Sequence, residues 1–376
     1  EGVLYLFNSS SFSPGIWHWD FRGSDMLLGL TDNENATKDV TVVGSPYNDT
    51  FNLNMDRADD NDAWYSGNWT LNIGDGDDSF NSAKLKNGDS IDMGAGDDTV
   101  SIMATGIEGT PTIANLDLAK LDGGAGNDTL KFEESGSNTT ELTLTTGGST
   151  NFENIIGTGG AETIKGDANA NKLEGKGAND TLYGYAGNDT LEGDGGNDTL
   201  YGGNDNDTLK GEAGDDTLDG GTGTDTLTGG NGTDTFVIRS GDGSTIADTN
   251  VITDFTDGTD VIGMENIVYD DLTIAQGSGT YASHTLVSAT ATGEYLLIIQ
   301  NATASNITAA DFSNTSTEAQ TLNGTSGNNI LIGGAGNDTF NGGAGSDTLL
   351  GWGGNDTFNI TSKSGSFADI IDGGAG

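Results

Sequence analysis

The sequence contains no cysteine, only 3 prolines and only 13 lysines plus arginines among its 376 residues. Without cysteine, neither a disulfide nor a cysteine-bound zinc ion can stabilise the fold. The 58 acidic residues give a formal net charge of −45, which would repel nucleic acids and anionic membrane surfaces. No apolar run reaches the length of about 18 residues that a membrane span requires. Multivalent cations are therefore the expected partners.

Glycine is abundant instead, with 62 residues, and it recurs at a fixed spacing. From Gly175 the sequence divides into the nonapeptides GKGANDTLY, GYAGNDTLE, GDGGNDTLY, GGNDNDTLK, GEAGDDTLD, GGTGTDTLT and GGNGTDTFV. Aspartate fills the sixth place of each repeat, at Asp180, Asp189, Asp198, Asp207, Asp216, Asp225 and Asp234. An apolar residue fills the eighth place, at Leu182, Leu191, Leu200, Leu209, Leu218, Leu227 and Phe236. A constant period predicts one repeated structural unit.

Each nonapeptide is expected to form one turn and one short strand. The Gly/Asn/Asp-rich part favours a turn with positive φ, and Thr-Leu-x favours a strand whose middle side chain points inward. Two nonapeptides would complete one coil, so that residues 18 apart in sequence stack about 4.8 Å apart along the axis. The stacked aspartate pairs would be Asp180 with Asp198, Asp189 with Asp207, Asp198 with Asp216, Asp207 with Asp225, and Asp216 with Asp234.

Such a column of carboxylates needs a cation. Two carboxylates about 5 Å apart repel by roughly 3 kcal/mol at an effective dielectric near 20. Ca²⁺ suits the pattern because it accepts six to eight oxygen ligands in flexible geometry, whereas Mg²⁺ demands a tight octahedron. One buried leucine per repeat contributes about 1.5 to 3 kcal/mol, less than the cost of ordering nine residues. We therefore expect the array to fold when several Ca²⁺ ions bind.

These blocks resemble the GGxGxDxUx nonapeptides of the repeats-in-toxin (RTX) family of Gram-negative exoproteins. The resemblance implies that carbonyls of the first and third places bind Ca²⁺ together with the sixth-place aspartates. The implied first-place glycines are Gly184, Gly193, Gly202 and Gly211. Glu162 and Asn171 replace aspartate at the start of the array, so their turns are expected to cap it and to bind calcium weakly or not at all. The resemblance also implies export through a type I secretion channel and folding in external calcium.

A second array and several isolated copies lie outside this block. The second array begins at Gly324 and has Asp338, Asp347 and Asp356 at the sixth place, of which only Asp338 and Asp356 are 18 apart. It is therefore expected to hold one complete site, and its unfinished last repeat indicates a longer parent protein. Isolated copies begin at Gly74, Gly94 and Gly123, and the candidate metal ligands there are Asp78, Asp98 and Asp128.

The predicted fold is all-β: a parallel β-roll or β-solenoid of calcium-binding nonapeptides with an intervening β cap. Segments 251–276 and 294–312 alternate polar and apolar residues as half-buried strands do. The expected domains are an irregular β-solenoid at 1–156, a regular roll at 157–237, a β-rich cap or spacer at 238–320, and a second roll at 321–376, incomplete at its C-terminus.

The expected function is structural. Only two histidines occur, and neither an HExxH nor a GxSxG motif is present, so the chain is not expected to be an enzyme. It is expected to be a calcium-binding segment of a large secreted protein at the surface of a Gram-negative cell: an adhesin, a surface-layer protein or a filament component. Copies of itself or cell-surface glycans are further candidate partners. The alternative is the carrier portion of a secreted RTX enzyme or toxin, which a catalytic motif in adjoining sequence would favour.

Overall fold

The computed structural model describes residues 2–7, 17–18, 26–31, 40–43, 46, 48, 50–53, 69–82, 90–103, 121–133, 140–143, 151–241, 245–360 and 368–375. The chain divides into two compact units, Glu1–Asp194 and Gly195–Gly376. In the described part of both units the regular elements are β-strands, apart from short 3₁₀ turns at Ile246–Asp248, Tyr269–Asp271, Gly279–Tyr281 and Ala309–Asp311. The prediction of an all-β fold is confirmed.

The first unit is a ladder of short strands. They are β1 (Gly2–Phe7), β2 (Trp17–His18), β3 (Met26–Thr31), β4 (Val40–Val43), β5 (Thr50–Leu53), β6 (Trp69–Asn72), β7 (Ser79–Ser82), β8 (Ser90–Asp92), β9 (Thr99–Met103), β10 (Leu121–Asp122), β11 (Thr129–Glu133), β12 (Thr140–Thr143), β13 (Asn154–Ile156), β14 (Glu162–Lys165), β15 (Lys172–Gly177), β16 (Thr181–Ala186) and β17 (Thr190–Gly195).

These strands stack in parallel, and strands of alternate number share a sheet. The strand orders are β10-β8-β6-β4-β2, β15-β13-β11-β9-β7-β5 and β12-β14-β16, while β1 pairs with β3. Register partners are 18 residues apart at Thr163 and Thr181, as the nonapeptide period predicts. Upstream the separation is 30 residues between Thr99 and Thr129, and 25 between Thr129 and Asn154. The parallel stacking therefore continues where the sequence period is lost.

The core of the first unit is a row of apolar side chains at the middle of each strand. Leu173, Leu182 and Leu191 are fully buried, and Phe80 and Val100 fill the same register upstream. Flanking strand residues are partly exposed, so the burial alternates as it does in a strand with one face on a core. Burying each such side chain contributes about 1.5 to 3 kcal/mol.

The second unit contains the remaining strands. They are β18 (Thr199–Asn204), β19 (Thr208–Ala213), β20 (Thr217–Thr222), β21 (Thr226–Asn231), β22 (Thr235–Arg239), β23 (Val251–Ile252), β24 (Val261–Glu265), β25 (Leu272–Gln276), β26 (Thr285–Ala289), β27 (Tyr295–Ile299), β28 (Phe312–Asn314), β29 (Thr321–Asn323), β30 (Ile330–Ile332), β31 (Thr339–Asn341), β32 (Thr348–Leu350), β33 (Thr357–Phe358) and β34 (Ile370–Asp372).

The segment between the two arrays extends the roll of the second unit. One sheet runs β18-β20-β22-β24-β28, and the other runs β19-β21-β23-β27 before it ends in the antiparallel strands β26 and β25. Ile262, Leu297 and Phe312 are buried there, as the half-buried pattern predicts, and Val287, between the two predicted segments, is buried as well. The second array adds two parallel sheets, β29-β31-β33 and β30-β32-β34, and the rings of Phe340 and Phe358 stack 4.8 Å apart in its interior.

Candidate metal centre

The sixth-place aspartates of the regular array lie inside the turns. Their exposed fraction is 2% or less in all seven: Asp180, Asp189, Asp198, Asp207, Asp216, Asp225 and Asp234. The turn places the carboxylate inward because the strand that follows must also point its eighth-place leucine inward, two residues on. An ionised carboxylate so far from water must be compensated by hydrogen bonds or by a cation.

One oxygen of each carboxylate is held by the neighbouring coil. In the second unit the backbone N–H of Asp198 donates to Oδ1 of Asp216 (2.7 Å), and the N–H of Asp216 donates to Oδ1 of Asp234 (3.0 Å). The N–H of Asp207 donates to Oδ1 of Asp225 in the same way (2.8 Å). The pairs of Asp180 with Asp198 and of Asp189 with Asp207 combine residues of different units and stay predictions.

The second oxygen, Oδ2, is the atom available to an ion. It is buried and has no hydrogen-bond partner within the described residues in Asp98, Asp128, Asp216, Asp225, Asp234 and Asp356. A charged acceptor that is buried without a hydrogen bond costs free energy. These oxygens therefore indicate that a cation binds here.

Backbone oxygen atoms converge on the same place. A Cβ atom built on Gly211 would lie 2.2 Å from Oδ2 of Asp216 and 2.7 Å from the carbonyl oxygen of Gly229, one coil on. A Cβ on Gly202 would meet Oδ2 of Asp207 and the carbonyl oxygen of Gly220 at 2.4 and 2.6 Å. Gly202 and Gly211 thus each leave open a small cradle lined by a carboxylate oxygen and a carbonyl oxygen.

Two of the predicted carbonyls, those of Gly184 and Gly193, lie in the first unit. The carbonyl oxygen of Gly193 lines the cradle of Asp180, 3.0 Å from a Cβ on Gly175. That of Gly184 lies beside Asn171, which offers an amide oxygen and no carboxylate. The carbonyl of Gly184 therefore differs from that of Gly193, because no carboxylate lies beside it.

Burial weakens the acidity of the column. It raises the pKa of Asp216 to about 7 and the pKa of Asp225 and Asp234 to about 6, although hydrogen bonds from the stacked amides oppose the shift. Neighbouring carboxylates raise these pKa values further; Asp198 and Asp234 both act on Asp216. The arrangement favours neutralisation by a proton or by a cation.

The isolated upstream copies form a column of the same kind. The N–H of Asp78 donates to Oδ1 of Asp98 (2.7 Å), and the N–H of Asp98 donates to Oδ1 of Asp128 (2.8 Å). The N–H of Asp128 donates to Oε2 of Glu153 (2.7 Å). Burial raises the pKa of both Asp98 and Asp128 to about 6. Sequence reasoning missed Glu153, because it lies outside any nonapeptide.

The second array has two stacked pairs where one was expected. The N–H of Asp338 donates to Oδ1 of Asp356 (2.8 Å), as their separation of 18 predicts. The N–H of Asp347 donates to Oδ1 of Asp369 (3.0 Å), across 22 residues. Asp369 was missed because of the four additional residues, although the apolar Ile371 follows it at the spacing of an eighth place.

The column also continues past the end of the first array. The N–H of Asp225 donates to Oδ1 of Asn250 (2.9 Å), and the N–H of Asp234 donates to Oδ1 of Asp260 (3.2 Å). Neither residue was predicted, since the spacings of 25 and 26 residues break the period.

A second ladder occupies the outer side of the turns. Oδ1 of Asn197 accepts the N–H of Asp215 (3.0 Å), and Oδ1 of Asp215 accepts the N–H of Thr233 (2.8 Å). These fifth-place side chains are exposed. Adjacent acidic positions therefore differ: the fifth place faces water, and the sixth faces the cradle.

These donors fit Ca²⁺. Within the described ranges no three acidic or histidine side chains come together as a metal-binding cluster. An ion in the column would therefore take carboxylate oxygens and backbone carbonyl oxygens, a donor set that Ca²⁺ accepts readily. Zn²⁺ prefers nitrogen and sulfur ligands, which the column lacks.

The comparison with protein families identifies the repeats. A family model described as "RTX calcium-binding nonapeptide repeat (4 copies)" matches residues 120–131, 148–182, 156–191, 165–200, 174–209, 201–236 and 323–358. These parts of the chain are RTX calcium-binding nonapeptide repeats. RTX nonapeptide repeats bind Ca²⁺ and serve a structural purpose, and proteins that carry them are typically secreted. No curated protein matches the chain.

The matched ranges include the first array and most of the second, but they leave out Asp78 and Asp98. The hydrogen-bonded column connects those two residues to Asp128, which the match includes. No helix in the described part of this chain has the length and apolar character to cross a bilayer.

Proposed function

We propose that this chain is a calcium-rigidified structural segment of a large secreted protein at the cell surface, such as an adhesin, a surface-layer protein or a filament component. The single observation that carries the proposal is the column of buried carboxylates, in which Oδ2 of Asp216, Asp225 and Asp234 accepts no hydrogen bond. A rod whose interior contains unpaired carboxylate oxygens needs external calcium to become rigid.

The proposed ligands are the sixth-place aspartates and the first-place carbonyl groups. In the regular array they are Asp180, Asp189, Asp198, Asp207, Asp216, Asp225 and Asp234 with the carbonyls of Gly193, Gly202 and Gly211. In the upstream coils and the second array they are Asp78, Asp98, Asp128, Asp347 and Asp356. What supports this set is the convergence of Oδ2 with a first-place carbonyl oxygen, that of Gly193, Gly220 or Gly229, at three cradles of the array.

The charge of the chain supports folding after export. A net charge of −45 disfavours a compact state through self-repulsion, and bound Ca²⁺ would relieve that repulsion along the column. Binding free energy would then become folding free energy. In cytosol poor in calcium the chain would stay open and pass a type I secretion channel of a Gram-negative cell; millimolar external calcium would close it.

We further propose that residues 157–237 and 321–376 act as rods, and that 1–156 and 238–320 carry the contacts with copies of the chain or with glycans. An exposed apolar side chain supports a contact role for the second of these segments: Val268 is 50% exposed.

Far-ultraviolet circular dichroism of the full chain in calcium, in magnesium and in EGTA tests the calcium-folding claim. At pH 8 we expect β structure in calcium only. An unchanged spectrum in EGTA would contradict it. The surface claim is tested by antibody labelling of intact source cells: signal that calcium retains and EGTA releases supports it, whereas protein found only free in the medium refutes it.

A further inference from the structure

The turns of this chain exist in two states, which differ at one residue. We call the side chain in the inner column the column residue, and the residue four positions before it the second-place residue. In every turn compared below, both residues are within the described ranges. The two states differ in the φ angle of the second-place residue and in where its backbone N–H points.

In the open state the second-place residue has a positive φ. In six open turns, Oδ2 of the column residue accepts no hydrogen bond. The second-place residues of these turns are Gly94 (φ 103°), Gly124 (100°), Glu212 (75°), Gly221 (88°), Gly230 (100°) and Trp352 (66°). Their column residues are Asp98, Asp128, Asp216, Asp225, Asp234 and Asp356. A positive φ is disfavoured for residues other than glycine, so Glu212 and Trp352 are held there at a cost.

In three of the open turns the second-place N–H donates to an aspartate other than the column residue. The N–H of Gly124 reaches Oδ1 of Asp122 (3.2 Å), and that of Gly221 reaches Oδ1 of Asp219 (3.1 Å). The N–H of Gly230 reaches Asp254 (2.9 Å). The left-handed conformation thus turns the amide outward and leaves the inner oxygen exposed to the cradle.

In the closed state the second-place N–H donates to the column residue of its own turn. The pairs are Thr158 with Glu162 (3.1 Å), Asp167 with Asn171 (2.7 Å), Thr256 with Asp260 (2.7 Å), Thr325 with Asn329 (2.7 Å) and Gly334 with Asp338 (3.0 Å). None of these second-place residues has a positive φ. The amide occupies the oxygen that an ion would otherwise bind.

The closed turns are found where the arrays begin and end. Glu162 and Asn171 start the first array, Asp260 follows its last repeat, and Asn329 and Asp338 start the second. Thr158 also donates its hydroxyl to Glu162 (2.6 Å). Every closed turn therefore supplies a hydrogen bond to the side chain of its column residue. In an open turn, Oδ2 of the column residue needs a ligand from outside the protein.

We propose that the conformation of the second-place residue decides which turns bind calcium, and that the five closed turns are calcium-free caps in which a backbone amide takes the ion's place. The proposal rests on calcium binding by the open column. It removes Asp338 from the predicted metal ligands, although the sequence of its repeat, GGAGNDTFN, fits the pattern in full.

Glu212 offers a matched test, because its side chain is exposed and lies outside the cradle. Glu212→Val and Glu212→Gly remove the same charge, but valine resists the left-handed conformation and glycine adopts it freely. Calcium titration calorimetry of the full chain should show one site weakened on the order of tenfold in Glu212→Val and no loss in Glu212→Gly. Equal affinities in the two variants would overturn the proposal.

A gain of binding gives a second test that does not depend on destabilising the roll. Asn171→Asp alone supplies a carboxylate but leaves the Asp167 amide in place, so the number of bound calcium ions should stay at the wild-type value. If Asn171→Asp alone gains an ion, the proposal is wrong. A wild-type chain that binds no calcium would instead refute the proposed function.

Discussion

Replacing Gly211 with alanine should fill one calcium cradle without removing any ligand atom. The added methyl group would lie 2.2 Å from Oδ2 of Asp216 and 2.7 Å from the carbonyl oxygen of Gly229. Because ordinary contact begins near 3.4 Å, these oxygens must retreat by about 1.2 and 0.7 Å (3.4 − 2.2 and 3.4 − 2.7). Calcium–oxygen distances span only about 2.3 to 2.6 Å, so a retreat of this size breaks the site.

The expected result of Gly211→Ala is one bound calcium fewer, measured by titration calorimetry, together with a stability loss of about 1 to 3 kcal/mol from overpacking. Gly159→Ala is the matched control, since a Cβ there meets nothing within 4 Å and its φ is not in the left-handed region. The reasoning is refuted if Gly211→Ala binds the wild-type number of ions with wild-type affinity.

Three further predictions concern the carboxylate column and the apolar core beside it. Asp216→Asn should weaken calcium binding by about tenfold or more, whereas Asp215→Asn should change it by no more than about twofold, because only Asp216 presents an unsatisfied buried oxygen; titration calorimetry compares them, and equal losses would mean that the column is misassigned. Burial raises the pKa of Asp216 to about 7, so protonation stabilises the metal-free roll at low pH, and this stabilisation is lost as the pH rises through about 7. Metal-stripped protein should therefore show more β structure by circular dichroism at pH 5 than at pH 8, and the opposite trend would contradict the burial argument. Leu218→Ala should cost about 2 to 5 kcal/mol in calcium-saturated denaturation, and Thr217→Ala less than about 1 kcal/mol, since only the leucine is fully buried; similar costs would mean that the core face is wrong.

The regular part of the fold could be predicted from the sequence because the contacts between its coils recur at a constant separation of residues. A separation of 18 residues sets the register of Leu200 on Leu218, and it also sets the stacking of Asp198 on Asp216. Where residues are added between strands, the contacts persist but the period disappears. Glu153, Asn250, Asp260 and Asp369 all occupy the column at separations of 22 to 26 residues.

The difference between open and closed turns was also beyond sequence reasoning. Gly334 and Gly343 are both second-place glycines of GGAG turns, yet only Gly343 has a positive φ (87°). A contact with Asn314 distinguishes Gly334: the N–H of Asn314 donates to the carbonyl of Gly333 (3.0 Å). The neighbouring coil, which the repeat does not encode, fixes the turn.

The central claim is that calcium sits between a sixth-place carboxylate and a first-place carbonyl. Anomalous diffraction from crystals of the full chain grown in calcium tests it most directly. We predict a peak in contact with both Oδ2 of Asp216 and the carbonyl oxygen of Gly229. Calcium peaks confined to exposed side chains such as Asp215, with none in the cradle, would contradict the account.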